Sequence, residues 1–304
     1  MHWIVTDSGL GGLSICAELE KRLRLAGRCG TVRLSYFNAS PDRQTGYNDL
    51  PDMQSRALVF DRALESMAAF HPDRILIACN TLSIVYRITA FSLKPAVPVA
   101  GIIDAGVDLF HETLEGNPAS SLVIFGTRTT IGSGVHREML ARRGIPVERI
   151  KTVSCHGLAG AIENDPDGPV VEGLIAGCTA EAARERLAGD PVYAGLCCTH
   201  YTYVSERIRS ELERRAGRNV VCLDPNLRLV GSLAPEMTSS AGSAQCDISV
   251  RVISKVELSE SKRRVMARMV EPVSTITAAA LLSYTHAPDL FQFEPAGSDR
   301  GDNR

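Results

Sequence analysis

The chain has 304 residues, of which 44% are hydrophobic and 22% are charged, and its formal net charge is −2. This length suits one large domain or two moderate ones with a real core, and the small net charge argues against a nucleic-acid or anionic-lipid partner. No signal-peptide pattern precedes the first apolar residues, and the apolar stretch at 276–282 is too short to span a bilayer. We therefore expect a cytoplasmic protein with no membrane partner.

Short apolar, β-branched stretches alternate with stretches of helical periodicity along the whole chain. Strands are predicted over residues 3–6, 32–37, 74–78, 97–103, 121–125, 150–153, 192–196, 220–223 and 247–256. Helices are predicted over residues 13–25, 53–70, 104–114, 134–143, 171–187, 204–216 and, for the most part, 259–283. This alternation favours parallel sheets covered by helices, and continuously apolar strands indicate burial on both faces. Residues 238–245 are predicted to form a polar loop and residues 295–304 a frayed end.

Two parts of the chain share one spacing. Asp7 precedes Cys79 by 72 positions, and Gly126 precedes Cys198 by the same 72. Either a duplication or a coincidence would give this match. The shared spacing nevertheless favours two similar doubly wound α/β domains. The predicted domains are residues 1–98 plus 222–304, which carry Asp7 and Cys79, and residues 99–221, which carry Cys198.

Nine cysteines are present, an odd number without any Cys-x-x-Cys spacing. In a chain without a secretory signal, this pattern favours neither a disulfide framework nor a zinc site, so no metal is expected. Five of the cysteines are interpreted as small buried hydrophobic residues: Cys16, Cys29, Cys178, Cys222 and Cys246.

Cys79 and Cys198 stand in a different context, since each directly follows a predicted strand, where sites in open α/β sheets lie. A thiol beside a helix N-terminus can have a lowered pKa, and His200 can hold or deliver a proton. Either cysteine alone could be structural. Two thiols at one cleft could racemise a carbon, because a thiolate removes a proton from one face and a thiol returns one to the other.

Other chemistries fit the sequence less well. The Gly9-x-Gly11-Gly12 run lacks the spacing of a dinucleotide-binding motif and the Gly-Lys-Ser/Thr ending of a P-loop. No Gly-x-Ser-x-Gly elbow is present for a serine hydrolase. A cysteine hydrolase built from Cys198 and His200 is disfavoured because two residues of separation rarely orient such a pair.

Five segments resemble the motifs of glutamate racemases, in the aspartate/glutamate racemase superfamily, and together they span roughly residues 1–225. The similar segments are Thr-Asp-Ser-Gly-Leu-Gly-Gly-Leu-Ser from Thr6, Ala-Cys-Asn-Thr from Ala78, Gly-Thr-x-x-Thr-Ile-x-Ser from Gly126, Cys-His-Gly-Leu-Ala-Gly-Ala-Ile-Glu from Cys155, and Cys-Thr-His-Tyr from Cys198.

The resemblance implies an active-site cleft between two α/β domains, no cofactor, a role in supplying D-glutamate for peptidoglycan, and a homodimer. It makes Cys79 and Cys198 the proton-transfer residues, with Asp7 supporting Cys79, and with His200 and Glu163 supporting Cys198. The residues that it implies for holding the amino-acid substrate are Ser8, Asn80, Thr81, Thr130 and Thr199.

The chain departs from the family pattern at several positions. Where the family has Pro-Tyr-Gly, this chain has Gln44-Thr45-Gly46, so that Thr45 replaces a substrate-contacting tyrosine and Gly46 is retained. Gly101–Ala105 differs at three of five positions from the Gly-Val-Ile-Glu-Pro of the family, Thr202 replaces a proline, and the tail after Ser232 is unlike that of the family.

These departures leave four hypotheses. The first is racemisation of glutamate, and the second is the same chemistry on aspartate or another amino acid, which Thr45 motivates. The third is a cysteine-dependent isomerase or decarboxylase of the same superfamily, although retention of both cysteines argues against a decarboxylase. The fourth is a ligand-binding protein without activity, which the intact set of implied catalytic residues argues against.

Overall fold

The computed structural model of the protein describes residues 1–27, 30–184, 186–234 and 246–292. Its strands are β1 (His2–Asp7), β2 (Thr31–Asn38), β3 (Arg74–Ile77), β4 (Val99–Gly101), β5 (Leu122–Gly126), β6 (Ile150–Ser154), β7 (Val192–Cys197), β8 (Val220–Leu223), β9 (Asp247–Ser254) and β10 (Thr285–His286). Its helices are α1 (Leu13–Ala26), α2 (Met53–Ala68), α3 (Asn80–Tyr86), α4 (Ala90–Leu93), α5 (Ile102–Gly116), α6 (Arg128–Gly132), α7 (Val135–Arg142), α8 (Leu158–Asn164), α9 (Pro169–Ala182), α10 (Ser205–Ala216), α11 (Pro225–Ser232), α12 (Glu260–Val270) and α13 (Thr275–Leu282). The loop predicted over 238–245 and the frayed end predicted over 295–304 lie outside the described residues.

The strands form two parallel sheets, which confirms the predicted α/β class. One sheet has the order β10-β9-β2-β1-β3-β4 and the other the order β6-β5-β7-β8. Successive residues of one strand face opposite layers, and both layers are buried. Trp3 and Val5 of β1 belong to one core and Ile4 to another, while Val123 and Ile124 of β5 divide in the same way. Burial on both faces explains why these strands are continuously apolar.

The spacing shared by the two halves has a structural counterpart. β1 pairs with β3 in one sheet, and β5 pairs with β7 in the other. Thr6 lies opposite Ile77, and Phe125 lies opposite Leu196, so the partners are 71 residues apart in both sheets. Cys79 and Cys198 therefore follow equivalent strands of two similarly built sheets.

Strand pairing shows where the chain passes from one sheet to the other. β4 pairs with β3, and β8 pairs with β7, so the first sheet extends to Gly101 and the second to Leu223. The predicted boundaries, after residues 98 and 221, lie just before β4 and inside β8. We propose moving them to the ends of these two strands.

Two elements differ from the sequence prediction for identifiable reasons. The strand predicted over 97–103 ends at Gly101, because the β-branched Ile102 and Ile103 begin α5 and are buried there instead. The helix predicted over 259–283 is two helices, separated at residues 271–274. Pro272 cannot donate a hydrogen bond within a helix, and the Ser274 side chain restarts the helix by accepting a hydrogen bond from the Thr277 N–H at 3.0 Å.

Most of the described cysteines are unbridged. Seven are free thiols, including Cys79 and Cys198, and Cys246 is disulfide-bonded, against the expectation that it is a simple buried thiol. The prediction for Cys29 lies outside the described residues. Within the described residues, no helix has both the length and the apolar character needed to cross a membrane.

Candidate active site

Loops at the carboxyl ends of strands from both sheets border one cleft of about 520 Å³. The first sheet contributes Ser8 after β1 and Glu257 after β9, and the second contributes Thr127 after β5 and His200 after β7. A larger cavity of about 900 Å³ lies elsewhere, against α3, β4 and α11, and none of the predicted site residues lines it. Four predicted site residues, Ser8, Gly46, Glu163 and His200, line the smaller cleft, which is therefore the candidate active site. Cys79 and Cys198 are each 7% exposed and lie behind these lining residues, to which the contacts described below connect them.

Cys79 lies two residues after the end of β3 and caps the N-terminus of α3. Its Sγ accepts a hydrogen bond from the Leu82 N–H at 3.5 Å and lies 3.3 Å from Ser8 Oγ. Burial and then the charge of Asp7 raise the pKa of the Cys79 thiol, and the hydrogen bonds from Ser8 and Leu82 only partly oppose this rise. The lowered pKa that a helix N-terminus suggests is therefore not found here, because burial outweighs it, and Cys79 is held as a protonated thiol.

Cys198 begins a chain of three side chains in the second domain. Its Sγ lies 3.7 Å from His200 Nδ1, and His200 Nε2 lies 2.8 Å from Glu163 Oε1. Burial lowers the pKa of His200, but its hydrogen bonds with Cys198 and Glu163 outweigh burial and raise that pKa well above its usual value. A protonated imidazole therefore lies beside Cys198.

Glu163 remains ionised although it is buried. Burial raises the pKa of its carboxyl group, but the hydrogen bond with His200, the charges of His200 and Lys262, and the hydrogen bond from the Leu10 N–H outweigh burial and lower the pKa to about 2. Glu163 Oε1 accepts from Leu10 N at 2.8 Å, and Lys262 Nζ lies 3.2 Å from Oε2. The carboxylate thus joins a loop of the first domain to the histidine beside Cys198.

Asp7 connects the two cysteine motifs. Its Oδ2 accepts a hydrogen bond from Thr199 Oγ1 at 2.7 Å, next to Cys198 in the sequence. Its Oδ1 lies 3.4 Å from Ser8 Oγ, which in turn contacts Cys79. Asp7 therefore reaches Cys79 through Ser8, whereas its direct partner is Thr199, a residue that the sequence resemblance implied for substrate binding.

Three threonine hydroxyls and one amide lie together between α3 and α6. Thr81 Oγ1 lies 3.0 Å from Thr127 Oγ1 and 3.3 Å from Thr130 Oγ1. Asn80 is 2% exposed, and neither polar atom of its side chain has a partner among the described residues. Because buried polar groups are almost always hydrogen-bonded, the amide of Asn80 is suited to a ligand.

Only part of the segment that replaces Pro-Tyr-Gly lines the cleft. Gly46 and Tyr47 line it, whereas Thr45 is half-buried and is not among the described residues that do so. The Tyr47 hydroxyl is buried without a partner in the described part of the chain. Burial and then the charge of Cys79 raise the pKa of Tyr47, which indicates that the two side chains are neighbours.

The glycines after β1 allow close approach between the domains, and their role is steric. A Cβ at Gly9 would come within 2.8 Å of Glu163 Oε1, and one at Gly11 would come within 2.5 Å of His200 Nδ1. Because any larger residue would displace the Glu163–His200 pair, the glycine-rich run is explained without a bound nucleotide. Within the described residues, no cluster of three or more His, Cys, Asp or Glu side chains could hold a metal ion.

The family model for Asp/Glu/Hydantoin racemase matches residues 11–233, which include both cysteines and Glu163. The chain belongs to this racemase family. It is accordingly an enzyme of the amino-acid racemase class, an isomerase.

Proteins named glutamate racemase have sequences similar to that of this racemase. The chain is 27% identical to the glutamate racemase of Persephonella marina over 213 residues, which is 67% of this chain and 72% of the relative. It is 29% identical to the glutamate racemase of Syntrophus aciditrophicus over 221 residues, 72% of this chain and 74% of the relative.

Solved structures share the fold of the racemase. Glutamate racemase from Francisella tularensis, solved in complex with D-glutamate, superposes with a TM-score of 0.69 at 19% identity and covers 88% of this chain and 93% of its own. The RacE1 glutamate racemase of Bacillus anthracis gives a TM-score of 0.66 at 18% identity and covers 94% of this chain and 95% of its own. At this identity the likeness shows the two-sheet architecture alone.

The sequence analysis gave no site role to two residues of the racemase cleft. Thr127, the second residue of the Gly-Thr-x-x-Thr-Ile-x-Ser motif, contacts Thr81 across the domains. Lys262, from a segment without recognisable motifs, binds Glu163. A lysine near the start of a predicted helix gives no sequence signal of such a contact, because the partner lies 99 residues away.

Proposed function

We propose that the protein interconverts L- and D-glutamate by two-base proton transfer between Cys79, Cys198 and the substrate Cα, without a cofactor. The observation that carries this proposal is the pair of buried free thiols at equivalent strand ends of the two sheets, which are joined by hydrogen bonds: Thr199, next to Cys198, donates to Asp7, and Asp7 reaches Cys79 through Ser8. Two such thiols can work as an acid–base pair, with one thiolate and one thiol.

The side chains beside the two cysteines support different roles for Cys198 and Cys79. In one direction the thiolate of Cys198, beside the His200 cation, removes the Cα proton, and the Cys79 thiol delivers its proton to the opposite face. The roles reverse in the other direction. Asp7, His200 and Glu163 support the two thiols. The proposed substrate ligands are Ser8, Gly46, Asn80, Thr81, Thr130 and Thr199, and Thr45, which does not line the cleft, is left out of this set.

The proposed physiological setting follows the relatives. A cytoplasmic enzyme of this specificity would supply D-glutamate to peptidoglycan synthesis, and we propose that it assembles as a homodimer. Aspartate or another amino acid is the alternative substrate, because Thr45 stands where the family has its substrate-contacting tyrosine.

Proton NMR in D₂O tests the reaction with L-glutamate and L-aspartate in separate samples, without added cofactor, followed by chiral analysis. We expect loss of the α-proton signal and racemisation of glutamate. Exchange of aspartate alone would keep the mechanism and change the substrate, and no exchange of any amino acid would overturn the proposal.

Cysteine variants test the two bases. Cys79→Ser and Cys198→Ser should each lower turnover by about 100-fold or more, because a hydroxyl is a far weaker acid than a thiol. Cys222→Ser, which changes a free thiol of β8, serves as the matched control and should behave as wild type. If either active-site variant kept wild-type turnover in both directions, that cysteine would not be a catalytic acid or base.

A further inference from the structure

The C-terminal segment beyond the family match forms one wall of the cleft. The match ends at residue 233, whereas Val256–Ser259 and Lys262 line the cleft. Lys255 Nζ donates to the Pro41 carbonyl at 3.0 Å, and Glu257 pairs with Arg43 at 3.2 Å. These contacts tie the segment to the loop after β2, in the first domain.

Lys262 is directed from this segment into the second domain. It lies in the first turn of α12, where its N–H donates to the capping Ser259 Oγ at 3.3 Å, and α12 packs against α8. Its ammonium group lies 3.2 Å from Glu163 Oε2, and the exposed fractions of the two side chains are 37% and 11%. The capped helix thus holds the lysine where it can reach a nearly buried carboxylate.

With the contact from Lys262, both carboxylate oxygens of Glu163 have hydrogen-bond donors. Oε1 is occupied by the Leu10 N–H and by His200 Nε2, and Lys262 is the donor to Oε2. With both oxygens held, the carboxylate plane has a fixed orientation, and so has the imidazole whose Nδ1 faces Cys198. Three elements from separate parts of the chain therefore hold the His200 ring in place beside Cys198.

We propose that Lys262 is a positioning residue of the racemase, which holds Glu163 ionised and oriented so that His200 can serve Cys198. The inference rests on the proposed function, because it needs Cys198 as a base. It assigns a catalytic purpose to a part of the chain that the family match leaves out.

Different kinetics would be expected if the Lys262–Glu163 ion pair had only a structural role or if Lys262 bound the substrate. A partly exposed ion pair contributes little to stability and leaves turnover unchanged. A lysine that bound substrate directly would raise KM and spare kcat. A positioning residue lowers kcat, leaves KM nearly unchanged, and alters the pH dependence.

In the described part of the chain, the titratable groups that interact electrostatically with Glu163 are His200, Lys262, and the hydroxyls of Tyr36 and Tyr203, and burial raises the pKa of both tyrosines. Lys262 lowers the pKa of Glu163, so its removal should raise that pKa. The loss of activity on the acid side should then begin at a higher pH.

The test compares Lys262→Met and Lys262→Arg with Arg264→Met, which removes another cation of α12 from an exposed pair with Glu260. We expect Lys262→Met to lose about tenfold in kcat with KM within about twofold, and to lose activity at a higher pH on the acid side. Lys262→Arg should restore most of the turnover, since arginine can also pair with a carboxylate. Arg264→Met should match wild type.

The outcomes separate this inference from the proposed function. Wild-type kcat and pH profile in Lys262→Met, or a raised KM with unchanged kcat, would overturn the positioning role while racemisation by the wild type stood. Absence of racemisation in the wild type would instead remove the proposed function. Melting temperatures of all variants show whether they are folded, and an unrescued Lys262→Arg that is folded would also contradict the proposal.

Discussion

Glu163 shows how a single buried residue ties stability to pH. Its pKa is lowered from 4.5 to about 2, so its ionised form stabilises the fold above about pH 4.5, and this stabilisation is lost as the pH falls towards 2. The pKa of His200 is raised, so its stabilisation is fully present below the unfolded value near 6.5 and is lost as the pH rises through the folded value. Together the two groups favour a weakly acidic optimum of stability.

Glu163→Gln tests this linkage. The variant should unfold more easily than wild type by about 1–3 kcal/mol near pH 6, because Gln cannot balance the charges of His200 and Lys262. Urea unfolding near pH 6 and near pH 3 measures the difference, which should shrink at the lower pH as the wild type loses its advantage. Glu206→Gln, in an exposed pair with Arg209, is the control and should change little at either pH. An equal difference at both pH values would contradict the linkage.

Local motifs were enough to name candidate site residues but not their contacts. Cys79, Cys198, Asp7, Glu163 and His200 were proposed from such motifs. The hydrogen bond from Thr199 to Asp7, however, spans 192 positions. Burial is likewise set by the whole fold, which is why a local argument about a helix N-terminus gave the wrong direction for the pKa of Cys79.

At the level of elements, the loop between β1 and α1 depends on glycine for a steric reason. A Cβ on Gly11 would overlap Thr199 Oγ1 and come within 2.5 Å of His200 Nδ1. We expect Gly11→Ala to lower the free energy of unfolding by about 1–3 kcal/mol, and to reduce turnover by displacing His200.

The matched control is Gly173→Ala, inside α9, where an added Cβ would meet nothing within 4 Å. This change should raise stability by about 0.5–1 kcal/mol, since alanine is the better helix former. Urea unfolding and steady-state kinetics of both variants check the opposite signs. If Gly11→Ala left the free energy of unfolding and turnover unchanged, the loop and His200 would be able to move apart without loss of stability or activity.

Periodicity predicted most elements because each strand and long helix has a consistent apolar pattern. It failed where tertiary contacts override local preference. The pair Ile102 and Ile103 has strand propensity but begins α5, because the fold buries both side chains there. Short helices such as α6 were missed, since five residues contain too few turns for a periodic signal.

At the scale of the whole molecule, the alternation of strands and helices was sufficient to predict two parallel sheets, and the 72-residue spacing to predict their likeness. The segment after Ser232 was not placed by any motif. In the structure it supplies β9, which pairs with all eight residues of β2, and α12, which carries Lys262. Pairing over such a distance along the chain cannot be deduced from local pattern.

This placement makes the C-terminal segment indispensable to the first domain. Without β9, strand β2 would become an open edge with unpaired backbone groups, and the core around Val252 and Leu281 would lose its cover. We therefore expect a chain truncated after Ala234, close to the end of the family match, to aggregate or to lack a cooperative unfolding transition. A chain ending at Gln292 is the control, since it keeps every described element and should melt like wild type. Circular dichroism melts and size-exclusion chromatography distinguish the two, and a folded, monodisperse, active chain of residues 1–234 would show that the family match alone defines the enzyme.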